Sequence, residues 1–177
     1  VIMKEGSDQQ RQEWCLQHGE TAKEYQLIRR IGVGSTSTSY LARDADGKDM
    51  RLTFIEHEKM MERLKFKAHL DGKTLEEGEK DAREKCNLEL EEQRKRIERV
   101  KGLGDEHVCR IFDAAVDQGR NQLVIMSEYL PGVDCNYAAR MLSRPQLISL
   151  CTQILRGIKF IHESGFWHFN LKPSVMK

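Results

Sequence analysis

Near the end of the chain, in GFWHFNLKPSVMK (165–177), two basic residues, His168 and Lys172, and a proline, Pro173, frame Asn170. An acid at the framed position would supply a base able to take a proton, beside a lysine able to hold an anion. A neutral amide cannot serve as that base. The stretch has the outline of a reactive site without its proton acceptor.

A second candidate lies in RRIGVGSTSTSYLA, where Gly32 and Gly34 sit in the turn between two strand-like runs. Glycines let the backbone approach a bound group closely, and their N–H groups can cradle phosphate oxygens. A G-x-G pair alone is also an ordinary hairpin turn, so its weight depends on what surrounds it.

Composition narrows the setting. Charged residues make up 32% and hydrophobic ones 39%, in proportions that suit one folded domain with a real core or one lobe of a larger domain. No apolar run approaches the roughly 20 residues that span a bilayer. The opening VIMKEGSDQQRQEW holds no apolar stretch of secretory type, and the start at Val1 and the stop at Lys177 suggest a piece of something longer. A formal net charge of +1 offers no strong general attraction to nucleic acid or to acidic membrane. Five scattered cysteines with no C-x-x-C spacing argue against a disulfide framework or a zinc site. They fit reduced thiols and a cytoplasmic location.

The elements that must position these groups fall into four zones. Residues 1–24 are polar, with a short helix expected around Gln9 to Gln17. From Tyr25 to about Glu56, YQLIRRIG, STSYLAR and MRLTFIE are strand-length runs, and DADGKD between the last two has hairpin-turn composition. Residues 57–103 change to a helical pattern, with Cys86, Leu90, Gln93, Ile97 and Val100 at alternating spacings of four and three. Gly72 and Gly78 are expected to divide this zone into two helices. HVCRIFDAAVD and QLVIMSEYL return to strands, joined by the turn-like QGRN. A final helix follows, with Pro145 in its first turn and Gly165 at its C-terminal cap. Its apolar stripe, expected to form a buried face, runs through Leu147, Leu150, Cys151, Ile154, Leu155, Ile158 and Ile161.

In that order the chain resembles a eukaryotic protein kinase domain. Strand, G-x-G-S, strand, a G-K turn and a third strand match its start. LGDEHVCRIFDA is similar to the end of the small lobe's long helix running into the next strand. QLVIMSEYLPG is similar to the hinge, and QLISLCTQILRGIKFIHESGFWHFNLKP to the long helix entering the catalytic loop. The resemblance covers about residues 25–177. It implies an α+β fold: a kinase-like N-lobe, an antiparallel sheet with a long helix, then the hinge and the first helices of the C-lobe. The boundaries expected are 1–24 for a polar extension, 25–129 for the N-lobe with a charged helical insert at 57–103, and 130–177 for the start of the C-lobe.

Carried over position by position, the resemblance implies a degenerate site. Gly32 and Gly34 match the glycine loop, but Ser37 replaces its third glycine and Ser39 the valine that lies over adenine. Aligning MRLT with V-A-I-K puts Thr53 where a lysine grips phosphates and Arg51 where a small alanine faces the base. Strand alternation places both on one face. Arg96 falls where the helix glutamate should pair with that lysine. Glu128 and the small Ser127 fall at the hinge side of the adenine pocket. In the catalytic loop Asn170 stands for the aspartate base and Val175 for the metal-binding asparagine, while His168 and Lys172 are kept.

The implied function is that of a pseudokinase with a regulatory or scaffolding role, acting on a neighbouring kinase domain or a partner protein. No catalytic set is intact, no metal site survives, and no cofactor is expected unless residual ATP binding persists. The alternative is a nucleotide-binding or weakly active serine/threonine-type kinase, for which Gly32, Gly34 and Lys172 speak. Residues 57–103 offer a surface for a partner or for self-association through Cys86, Leu90, Ile97 and Val100. Trp167 and Phe169 are expected to pack in a core.

Overall fold

The computed structural model describes residues 12–18, 21–117, 122–133, 135–168 and 171–172. They form two compact units. One comprises the chain to Lys101 together with Ile111–Glu128, and the other comprises Gly102–Arg110 and the chain from Tyr129. The segment Gly102–Arg110, placed with the N-lobe on sequence grounds, thus groups with the second unit.

The first unit is a six-stranded sheet, and its described strand pairs are antiparallel. Its strands are β1 (Gln12–His18), β2 (Thr21–Val33), β3 (Ser37–Asp44), β4 (Asp49–Glu56), β5 (Ile111–Asp117) and β6 (Gln122–Glu128), in the order β1-β2-β3-β4-β6-β5. The short helix expected around Gln9 to Gln17 is instead strand β1 over its described part. Pairing from Gln12 with Leu27 to His18 with Thr21 satisfies that backbone in the ladder. The turn at Asp44 to Asp49 closes as expected, with Gly47 at φ 82° and the Asp44 carboxylate accepting from the Lys48 N–H. The turn-like QGRN lies outside the described residues.

Strand alternation gives the sheet two apolar faces. Met50, Leu52 and Phe54 of β4 join Tyr25, Leu27, Ala42, Ala115, Val124 and Met126 in one core. The edge strands β1 and β5 approach one another, so the sheet curls around this core. On the opposite face Ile55, Ala114 and Leu123 pack against helices α1 (His57–Leu70) and α2 (Leu75–Val100) through Met60, Met61, Ala82, Cys86 and Ile97.

The helices break once, at Gly72, which adopts φ 79°. Gly78, expected to be a second break, lies inside α2, where a Cβ would meet that of Ala68 at 3.4 Å. Close helix approach explains a glycine that a helix otherwise disfavours. Thr74 begins α2 with a capping box: its hydroxyl accepts from the Glu77 N–H, and the Glu77 carboxylate accepts from the Thr74 N–H. Cys86 and Ile97 are buried in the sheet-facing core, and Leu90 packs partly against it. Of the residues expected to offer a partner surface, these three thus pack on the protein's own sheet.

In the second unit, α3 (Cys135–Ala138) precedes α4 (Arg144–Glu163). Pro145 stands in the first turn of α4, and Gly165 follows its end at φ 82°. The apolar stripe of α4 is only partly covered. Leu147, Leu150, Ile154, Ile158 and Ile161 are half-buried, whereas Cys151 is exposed and Leu155 is 64% exposed. The segment Gly102–Arg110 packs on this helix at Gly157. A Cβ on Gly157 would lie 2.9 Å from the His107 carbonyl oxygen, so this contact requires glycine. Trp167, expected in a core, is 67% exposed and lies against the His162 ring, centroids 4.4 Å apart.

Two substitutions test this architecture. Gly157→Ala forces a methyl group against fixed backbone and is expected to cost about 1–3 kcal/mol in urea unfolding. Thr74→Ala removes one half of the α2 capping box and is expected to cost about 1 kcal/mol.

Candidate functional site

The candidate site in the first unit grows from the register of three strands. Ser39 of β3 pairs with Thr53 of β4, and Thr53 pairs with Ile125 of β6. One step along the same face, Arg51 stands between Leu41 and Ser127. Ser39, Arg51, Thr53 and Ser127 therefore share one face, next to the apolar patch under α1 and α2.

These side chains are joined by hydrogen bonds. The Arg51 Nη2 donates to the Ser39 Oγ at 3.0 Å, and the Ser39 and Thr53 hydroxyls lie 3.0 Å apart. A guanidinium only donates, so Ser39 accepts from Arg51, and in its bond with Thr53 either hydroxyl can be the donor. The result is a chain from Arg51 through Ser39 to Thr53. Ser39 is 4% exposed, so the chain is anchored in the sheet while the Arg51 side chain reaches solvent. The expected sharing of a face by Arg51 and Thr53 is what the structure shows. The guanidinium lies across to β3, over Ser39.

The glycine turn is held from both sides. Gly32 lies in β2 opposite Ser39. The Gly34 N–H donates to the Ser37 carbonyl at 2.7 Å, so this group is spent within the hairpin. The Thr36 carbonyl at the tip accepts from the Glu56 N–H at 2.9 Å. Neither Gly32 nor Gly34 is among the glycines at positive φ.

A second polar group had no place in the sequence reading. The Glu56 carboxylate accepts from the Thr38 hydroxyl at 2.6 Å and from the Lys59 ammonium at 2.7 Å. Lys59 also donates to Thr38 at 3.3 Å. Thr38 and Glu56 point to the opposite face from Ser39 and Thr53, so Lys59 does not face Thr53. The i,i+3 spacing of Glu56 and Lys59 at a helix start was the available signal. Burial works to raise the Glu56 pKa, and the bonds from Lys59 and Thr38 more than offset it, leaving it below its ordinary value.

The other expected positions are dispersed. Arg96 is 74% exposed and ion-paired to Glu92 one turn back on α2, at 3.1 Å. Glu128 closes β6, half-buried and opposite Met50. In the second unit His168 and Lys172 are exposed. Phe169, Asn170 and Val175 lie outside the described residues. Among the described residues no group of three His, Cys, Asp or Glu is placed to hold a metal, and no helix is long and apolar enough to cross a membrane.

An antiparallel sheet braced by a long helix, continued by the first helices of a second unit, is the fold of a protein kinase N-lobe with the start of its C-lobe. The structure is similar to the kinase domain of PknI from Mycobacterium tuberculosis. The TM-score is 0.59 at 16% identity, over 85% of this chain and 53% of that one.

In sequence the chain is similar to protein kinases. It is 29% identical to the meiosis induction protein kinase of Saccharomyces cerevisiae over 166 residues, 84% of this chain and 25% of that protein. Identity to the serine/threonine-protein kinase ppk34 of Schizosaccharomyces pombe is 23% over 172 residues, 88% of this chain and 48% of that protein. A shorter match, 32% over 80 residues, joins it to the maternal embryonic leucine zipper kinase of Danio rerio, covering 44% of this chain and 12% of that protein. The chain spans less than half the length of each of these relatives. No protein-family model matches it.

The Glu56 cluster carries a pH prediction. Its folded pKa is depressed, so the stability it contributes is present above the ordinary carboxyl value of 4.5 and is lost as pH falls through the lower folded value. Acidification from pH 5 to pH 3 should therefore destabilise the native protein more than Glu56→Gln, read as the fall in unfolding midpoint.

Proposed function

We propose that this chain is part of a pseudokinase, a cytoplasmic regulatory or scaffolding domain that does not transfer phosphate. It would act on a neighbouring kinase domain or a partner protein. The observation that carries the reading is the bonded chain Arg51–Ser39–Thr53. Thr53 stands where the resemblance places the phosphate-gripping lysine, and its hydroxyl is engaged with Ser39. Arg51 and Ser39 occupy the two positions that the resemblance sets against adenine, and they satisfy one another.

Several further residues support this reading. Arg96 forms its ion pair with Glu92 on its own helix, which leaves Thr53 without an ionic counterpart from that residue. Asn170 and Val175, by residue type, provide neither a base nor an oxygen ligand for magnesium. With clamp, base and ligand all changed, no cofactor is required for the proposed role.

The test is a thermal-unfolding titration of the intact protein with ATP, with and without magnesium, beside a phosphate-transfer assay. Magnesium should add nothing to any effect of ATP, and no transfer should occur. A magnesium-dependent rise in midpoint together with phosphate transfer would sink the reading in favour of a weakly active kinase.

A further inference from the structure

We propose that the face bearing Arg51 is a metal-independent site for a small oxyanion, a phosphate or carboxylate group held by the guanidinium and the hydroxyls around it. The inference rests on the reading that this face no longer serves magnesium nucleotide, and it assigns the face a different ligand.

The argument begins with unspent donors. Arg51 uses one of its several N–H groups, toward Ser39, and it has no ion pair among the described residues. Its cross-strand neighbours, Leu41 and Ser127, carry no charge to neutralise it. A guanidinium presents parallel N–H groups that match a carboxylate or phosphate edge in bidentate fashion. The bond to Ser39 fixes the otherwise mobile side chain above the sheet, which lowers the entropy lost when an anion is captured.

A second observation is independent of the arginine. Ser127, only 8% exposed, places a hydroxyl on the same face. It stands directly opposite Arg51, so the two Cβ atoms lie about 5 Å apart on the same face. An anion on the guanidinium would be within reach of this hydroxyl. Because the nearest groups are donors and hydroxyls, a divalent cation would meet a like charge there rather than a ligand.

The test is thermal unfolding of the intact protein in inorganic phosphate against chloride at matched ionic strength, with magnesium chelated. The native protein should show a saturating rise in midpoint with phosphate. Arg51→Gln should weaken the apparent affinity by about tenfold or more, the loss expected for a charged hydrogen bond. Each variant is read against its own midpoint in chloride, since Arg51→Gln also removes the bond to Ser39. Ser127→Ala should weaken phosphate binding less than Arg51→Gln.

Citrate and metal-free ADP separate the sources. An effect of ADP at far lower concentration than phosphate assigns the oxyanion to a nucleotide, and an equal effect of citrate assigns it to a small carboxylate. Equal rises in the native protein and Arg51→Gln would mark general salt stabilisation and overturn the proposal, as would no rise in either. Phosphate transfer with magnesium ATP would overturn the pseudokinase reading, whereas the Arg51-dependent shift in its absence tests only the anion site.

Discussion

Strand β4 is the constraint on which the first unit depends. It lies between β3 and β6, and alternation commits each of its residues to one face. Met50, Leu52 and Phe54 fill the core inside the curled sheet. On the other face Ile55 goes under the helices, and Thr53 and Arg51 follow beyond their cover. A slip of one residue would exchange the two sets, burying a guanidinium and exposing three large apolar groups. The polar chain is therefore fixed by the same register that builds the core.

The helical hairpin secures one end of that face. Close approach at Gly78 and Ala68, the capping box at Thr74 and the burial of Cys86 set α2 against the sheet. Much of the remaining α2 surface is charged. Several of its ion pairs stay within the hairpin, as between Lys65 and Glu79 and between Arg63 and Glu89, and such exposed pairs add little stability each. Apolar packing positions the helix, and the ion pairs cover its solvent side.

Periodicity made much of this visible beforehand. β2, β3, β4, β6 and both ends of α4 follow from alternation, turn composition and the Pro145 and Gly165 signals. The strand at Gln12–His18 was hidden because a short polar run gains its structure from pairing with β2 rather than from its own pattern. Gly78 was misread because local propensity counts against glycine, whereas contact with Ala68 favours it. The bond from Arg51 to Ser39 spans twelve residues and two strands. It needs both the register and a rotamer, and only the shared face of Arg51 and Thr53 could be inferred. Of the Thr38–Glu56–Lys59 group only the Glu56–Lys59 spacing was legible, because Thr38 enters from another strand.

The substitutions on this face are mutually consistent, and that bears on how they act. A lone arginine among apolar groups would have to leave the sheet or take a partner. A lone serine at position 39 would leave a buried hydroxyl to satisfy. Together each answers the other, and Thr53 extends the chain by one further bond. A lysine at position 53 alone would place an ammonium beside the Arg51 guanidinium and remove the hydroxyl facing Ser39. The face rests in a polar arrangement of its own, in which a change at one residue is felt by the other two.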